Sequence, residues 1–273
     1  MSLLRFFIDT SLPEGRRQDI EPGSELVLSS AGSFDAQVYH HIVNVVRLKA
    51  GEKIELVQRD VWLVWLCQIE EINTEGLRLR VLSAIKSAKN PFSITLVVGS
   101  SKRDTVERVI RQATELGTTR IIPTLFDRSI SRPSRQRAEA KIARLRKIAN
   151  AAAQQSHRID LPTITDLQDF PAMLELLHSL QPDTIFTLWE EESSSTLSAA
   201  IAQTSLPDPR VRDSHVVLVI GPEGGITLDE IERLRALGGK SVSLGTTILR
   251  VDTAACAAIA IARDALAMRT SQD

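Results

Sequence analysis

The chain of 273 residues has few of the residues that staple or anchor small secreted folds: two cysteines, one tyrosine and 4% aromatic side chains. Cys67 and Cys256 stand far apart, with no Cys-x-x-Cys spacing. A disulfide framework and a thiolate metal site are therefore excluded, no metal is expected, and a reducing cytoplasm is the expected location. Long apolar runs are missing too. Stretches such as ITLVV at 94–98 and VVLVI at 216–220 fall far short of the roughly 18 residues that span a bilayer, so no membrane partner is expected. The opening residues MSLLRFFID lack a basic head, an extended apolar stretch and a small-residue cleavage site. They read as a strand, not a secretory leader. Gly-x-Gly-x-x-Gly after a strand, the P-loop signature and Gly-x-Ser-x-Gly are all lacking. Dinucleotide and Rossmann-type cofactor sites, P-loop hydrolysis and serine-hydrolase chemistry fall away with them. The five histidines are scattered, and His215 heads an apolar strand where a structural role is expected.

Net charge is −1, from 33 basic and 34 acidic groups, and by itself points to no partner. Its distribution is uneven. Residues 1–89 hold 11 basic and 12 acidic side chains, residues 90–170 hold 14 and 8, and residues 171–273 hold 8 and 14. Within the middle third, residues 128–158 carry nine Arg or Lys against one acid, Glu139. Such a block suits either a polyanion-binding face or a solvated helix surface.

With 43% apolar and 25% charged residues, the chain is long enough for one large or two modest globular domains. Residues 1–89 read as a small β-barrel, with strands at 5–9, 25–29, 53–58, 61–72 and 77–85 and one helix at 36–48. Asn90-Pro91 marks a boundary, and residues 90–273 form the second domain. There the rhythm becomes strand then helix: strands at 94–99, 120–124, 184–190, 216–220 and 242–245, helices at 102–116, 134–155, 228–237 and 253–268. Gly117 closes the first helix, whose outer face pairs Glu107 with Arg111 and Arg111 with Glu115. This alternation predicts an α/β fold with a mostly parallel sheet covered on both faces.

Two loops concentrate the chemistry. The strand at 216–220 runs into Gly221-Pro222-Glu223-Gly224-Gly225, and a Thr227–Glu230 capping box opens the next helix. Three glycines, a proline and a carboxylate in five positions exceed the needs of a tight turn. They suit close backbone approach by a flat ligand at the carboxyl end of a parallel strand. The second loop, residues 243–254, contains Gly245, Arg250 and Asp252. Asp252 is placed to cap the last helix, and Arg250 either pairs with it or faces a ligand. The two loops follow consecutive strands and are expected to line one crevice.

The glycine loop, followed by Leu244-Gly245-x-x-Ile248-Leu249-Arg250-x-Asp252-Thr253-Ala254, resembles the cofactor loops of the RsmE family, RNA methyltransferases of the SPOUT superfamily. Further blocks occur in the family's order: His40-His41-x-x-x-Val45-Val46-Arg47-Leu48, Ala113-Thr114-Glu115-Leu116-Gly117, Asp127-Arg128-Ser129, and Gln155-Ser156-x-Arg158 with Pro162. The resemblance implies a PUA-like β-barrel before a SPOUT α/β domain with a deep trefoil knot. It further implies S-adenosylmethionine as cofactor, a homodimer without metal, and methylation of uridine N3 in 16S ribosomal RNA, with the RNA expected within an assembled small-subunit particle. Cofactor contacts would come from Gly221, Glu223, Gly224, Gly225, Leu244, Gly245, Ile248, Leu249, Thr253 and Ala254, with Leu188 and Ile220 at strand ends. Arg250 would stabilise the uridine anion, and Glu223 and Asp252 are both candidate proton acceptors. RNA contacts would come from His40, Arg47, Arg111, Arg128, Arg137, Lys141, Arg144 and Arg158. Of these, Arg137, Lys141 and Arg144 form a predicted stripe on one helical face. The family usually has Arg at Thr247, Glu at Asp252, Glu at Gln154 and Lys at Gln112. A ribosome-assembly factor without catalysis, or a small-molecule enzyme using the glycine loops, are the rival readings; the latter leaves the basic segment and the barrel unexplained.

Overall fold

The computed structural model describes residues 3–8, 20–31, 34–58, 62–87, 89–130, 132–208 and 211–270. Predicted strand ends at residues 9 and 61 lie outside them. The chain divides into two units, Met1–Lys89 with Ala153–Leu161, and Asn90–Ala152 with Pro162–Asp273. Residues 153–161 thus belong with the first unit, although the sequence reading placed them in the second domain.

The first unit is a five-stranded sheet in the order β1-β3-β4-β5-β2. Its strands are β1 (Leu4–Ile8), β2 (Glu25–Ser29), β3 (Lys53–Gln58), β4 (Leu63–Ile72) and β5 (Gly76–Lys86). β1 pairs parallel with β3, and the other pairs are antiparallel. Two register shifts between β4 and β5 let these long strands bend. Phe6, Phe7 and Ile8 are all buried, which strict alternation forbids in a sheet with one wet face. Both faces are in fact covered. Phe6 and Ile8 join Leu56 and Trp65 in one core with Val38 and Ile42, while Phe7, Val57 and Val64 pack with Ala153, Ile159 and Leu161. Arg5 fastens the same segment, pairing with Glu55 at 2.8 Å and donating to the carbonyls of His157 and Arg158.

The predicted helix at 36–48 is two pieces: α1 (Phe34–His40), then a π-helical turn over His41–Val46. Arg47 closes that turn in the left-handed region, at φ 62°, a conformation uncommon for a side-chain-bearing residue. Periodicity alone does not distinguish such a widened turn from an α-helix.

The second unit is a parallel sheet in the order β12-β10-β11-β6-β7-β8, with β9 also on β7. Its strands are β6 (Phe92–Gly99), β7 (Arg120–Leu125), β8 (Thr163–Ile164), β9 (Gln168–Asp169), β10 (Thr184–Leu188), β11 (Ser214–Ile220) and β12 (Lys240–Val242). The intervening helices are α2 (Arg103–Glu115), α3 (Arg135–Gln155), α4 (Phe170–Leu180), α5 (Leu197–Gln203), α6 (Leu228–Ala236) and α7 (Val251–Thr270). One face of the sheet packs against α2, α3, α5 and α7, the other against α4 and α6. Covered on both sides, the central strands are nearly continuous apolar runs. The strands β10 and β12 stop earlier than predicted. Trp189, Glu190 and residues 243–245 consequently lie in loops beyond the carboxyl ends of the sheet.

Candidate active site

The two glycine-bearing loops are not neighbours in the sheet, because β10 lies between β11 and β12. Three loops therefore converge, those after β10, β11 and β12. With the start of α2 they line a cleft of about 730 Å³. Apolar walls come from Leu188 and Ile220 at strand ends, from Leu244, Ile248 and Leu249, and from Ala254 on α7. Ile248 is 84% exposed at the rim. Charged groups come from Lys102, Glu190, Glu223, Arg250, and Arg108 with Asp252, and hydroxyls from Thr105, Ser243, Thr246 and Thr247.

The glycine loop has no room for side chains where it bends. Gly225 has φ +79°, and a Cβ there would run into Glu190 Oε1. A Cβ on Gly221 would lie 2.5 Å from Ile226 Cγ1, and one on Gly99 would strike Pro222. Gly245 has φ +118°, a region L side chains rarely occupy. The capping box forms as expected. Thr227 Oγ1 accepts from the Glu230 N–H, and Glu230 Oε2 accepts from the Thr227 N–H at 2.9 Å. Glu230 is buried, and its Oε1 also accepts from the Asp127 N–H at 2.8 Å. The loops after β7 and β11 are thereby joined through one carboxylate.

Among the expected cofactor contacts, Gly224 and Thr253 do not line the cleft. Gly224 faces Arg128, whose Nη1 donates to its carbonyl at 3.2 Å. Arg250 is exposed at the cleft and has no ion-pair partner among the described residues. Asp252 is neither its partner nor a helix cap. It sits in the first turn of α7 and accepts from Arg108 Nε at 2.8 Å. Burial is the largest single influence and works against its charge, but the hydrogen bond and charge of Arg108 together with the N–H groups of Asp252 and Thr253 outweigh it, so its carboxyl titrates below the ordinary range. Glu223 is exposed, and its Oε1 accepts from the Lys102 N–H at 3.3 Å.

The three residues of the predicted basic stripe on α3 are engaged differently. Arg137 is exposed, but Lys141 turns inward, where Nζ donates to Ser100 Oγ at 3.2 Å. Burial pushes the Lys141 ammonium below its ordinary value, opposed by the charge of Glu223. Arg144 binds Glu107 through Nε and Nη2, at 2.6 and 2.9 Å. Glu107 also takes Arg103, in place of the expected Arg111, which is exposed. In the first unit, His40 and Arg47 are exposed, whereas the Arg158 side chain is only 8% exposed and pairs with Asp160. Sequence reasoning missed Arg108, Trp189 and Glu190. Arg108 carries no local signal, since its partner lies 144 residues on. Among the described residues, no group of three or more His, Cys, Asp or Glu is placed to hold a metal ion.

Residues 88–263 match the model of an RNA methyltransferase domain, and residues 34–82 that of an RNA methyltransferase PUA domain. The chain is 32% identical over 227 residues to ribosomal RNA small subunit methyltransferase E of Bacillus subtilis (strain 168), covering 81% of this chain and 85% of that protein. It is 28% identical over 263 residues to the Mycobacterium bovis protein of the same name, covering 95% and 90%. A crystal structure of that methyltransferase from Neisseria gonorrhoeae, bound to S-adenosyl methionine, aligns over 98% of both chains with a TM-score of 0.75 and 25% identity. The PUA unit and the parallel α/β unit together give the SPOUT-type architecture, and the chain belongs to the ribosomal RNA small subunit methyltransferase E (RsmE) family of RNA methyltransferases.

Proposed function

We propose that this protein transfers a methyl group from S-adenosylmethionine to N3 of an unpaired uridine in 16S ribosomal RNA, acting in the cytoplasm as a homodimer on small-subunit particles. One observation carries the reading. Three loops at the carboxyl ends of a parallel sheet enclose a cleft lined by apolar side chains and by the backbone of Gly221, Gly225 and Gly245, and Arg250 lines it with no ion-pair partner among the described residues. The cofactor's chemistry suits these walls. Its adenine matches the apolar surfaces of Leu188, Ile220, Leu244 and Leu249, and its hydroxyls and ammonium match Glu190 and Glu223. Backbone groups of the glycine loop complete the site, with Ile248 and Ala254 at its edges. The reading includes the deep trefoil knot that the resemblance implies for the α/β unit.

Bound S-adenosylmethionine supplies an electrophilic methyl, so the chain's own task is positioning and electrostatics. N3 lies on the pairing edge of uracil, and the base enters the cleft unstacked. Arg250 stabilises the negative charge that deprotonation leaves on the uracil ring. Asp252 is committed to Arg108, which leaves Glu223 to take the N3 proton. RNA phosphates meet Arg111, Arg128 and Arg137 on one unit, and Arg47 with His40 on the other. The test of the cleft is a calorimetric titration with S-adenosylmethionine. Wild type binds one equivalent per chain, and Gly225→Val, which drives a branched side chain into Glu190 from a left-handed backbone, loses binding by at least about tenfold. Unchanged affinity in a folded variant removes the cofactor from this cleft.

A further inference from the structure

Arg108 lies on the second turn of α2 and lines the cleft beside the loops already described. Its Nε donates to Asp252 Oδ2 at 2.8 Å, which ties α2 to the first turn of α7. The Asp252 side chain is 16% exposed and that of Arg108 50% exposed. A guanidinium has five N–H donors in a planar fork. Asp252 occupies only the one on Nε, and the four on Nη1 and Nη2 have no partner among the described residues. A cation fixed along one edge, with its fork open, is suited to receive an oxyanion through two parallel hydrogen bonds.

The surrounding charges decide which anion. Arg103 and Arg144 share the single carboxylate of Glu107, Arg108 is paired through Nε alone, and Arg111 is exposed with no ion pair among the described residues, so this face of α2 keeps a net positive charge. At i,i+3 spacing Arg108 and Arg111 are surface neighbours, and Arg108 shares the cleft lining with Lys102 and Arg250. Several cations in and beside one cleft suit a polyanion entering it. The carboxylate of the cofactor is the other oxyanion that could take this fork, but a half-exposed guanidinium suits a ligand that arrives from solvent.

We propose that Arg108 is an RNA contact, its guanidinium fork receiving a phosphodiester next to the nucleotide that enters the cleft, with Asp252 as the strut that orients it. The proposal rests on the reading of the cleft as the methyl-transfer site.

Arg108→Gln and Arg108→Lys separate the outcomes. With Arg108→Gln, which keeps one donor but loses the fork and the charge, KM for small-subunit RNA rises about tenfold. The plot of log affinity against log salt becomes shallower by about 0.7 for a single-stranded contact, and cofactor affinity stays within about twofold of wild type, which also reports an intact fold. Arg108→Lys retains the charge without the fork: it restores the salt slope and leaves KM intermediate. Unchanged KM and slope in Arg108→Gln would overturn the proposal, as would a loss confined to cofactor affinity, which would assign the fork to the cofactor carboxylate. Absence of saturable cofactor binding to wild type is a different failure: it removes the cleft reading itself, before any variant is made.

Discussion

Arg250 and Lys141 show how differently two cations near one cleft are used. Arg250 is exposed and unpaired among the described residues, so its charge is available to a reacting base. Arg250→Ala is expected to lower kcat about 100-fold, the scale of one lost transition-state donor, with cofactor affinity unchanged. Loss of rate and cofactor binding in proportion would make it a cofactor residue instead. Lys141 spends its ammonium on Ser100. Lys141→Met is therefore expected to leave the salt dependence of RNA binding unaltered, whereas Arg137→Ala makes the slope shallower by up to about 0.7–0.9. Filter binding across a salt series distinguishes the two, and a changed slope in Lys141→Met would return that lysine to the RNA face. The sequence shows that both residues are basic. Which way each points depends on Ser100 and on the apolar side of α3, Ile142 and Leu145, and no local pattern encodes the contact.

At the scale of elements, the turn between β11 and α6 is held by a buried carboxylate. Glu230 accepts from Thr227 and from Asp127, so it fixes both the helix start and the loop after β7. Glu230→Ala leaves those donors unpaired and is expected to cost about 2–3 kcal/mol, read from urea unfolding at constant m-value. A cost near zero would mean that water replaces the carboxylate. This capping box was legible because its two residues are three apart and signal each other. The buried runs of β6 and β11, the amphipathic α2 and the glycine loops were legible for the same reason: their patterns are local. The sequence reading passed over α4 although Asp169 caps it and Pro171 stands in its first turn, both readable start signals. The two-residue strands β8 and β9 are too short to carry a period. That β10 lies between the two glycine-bearing loops is a property of strand order, which hydrophobic periodicity does not contain. The Arg108–Asp252 strut is hidden likewise, since neither residue predicts the other.

Across the whole molecule, acid should loosen the packing of the α/β unit in a defined order. Burial, with the charge of Arg120, holds His215 below its ordinary value of 6.5 despite Asp183. The unfolded chain then binds more protons than the folded one, so stability falls as pH drops below 6.5. Hydrogen bonds from Arg144 and Arg103 bring Glu107 from 4.5 to about 2. Its contribution is present above 4.5 and disappears as pH falls toward about 2. Urea midpoints of wild type and Glu107→Gln should converge through that second window and remain parallel through the first. Convergence at neutral pH would mean that the Glu107 pairs add nothing to the fold.

The proposed reaction delivers a methyl group to one atom of one base class. Assembled small subunits from a deletion strain, incubated with this protein and isotope-labelled S-adenosylmethionine, are digested to nucleosides and read by mass spectrometry. The label is expected in 3-methyluridine from 16S ribosomal RNA and accumulates about 100-fold more slowly with Arg250→Ala. Label on a ribose oxygen, on uracil C5 or on another base, or no transfer by a protein that binds the cofactor, would contradict the account.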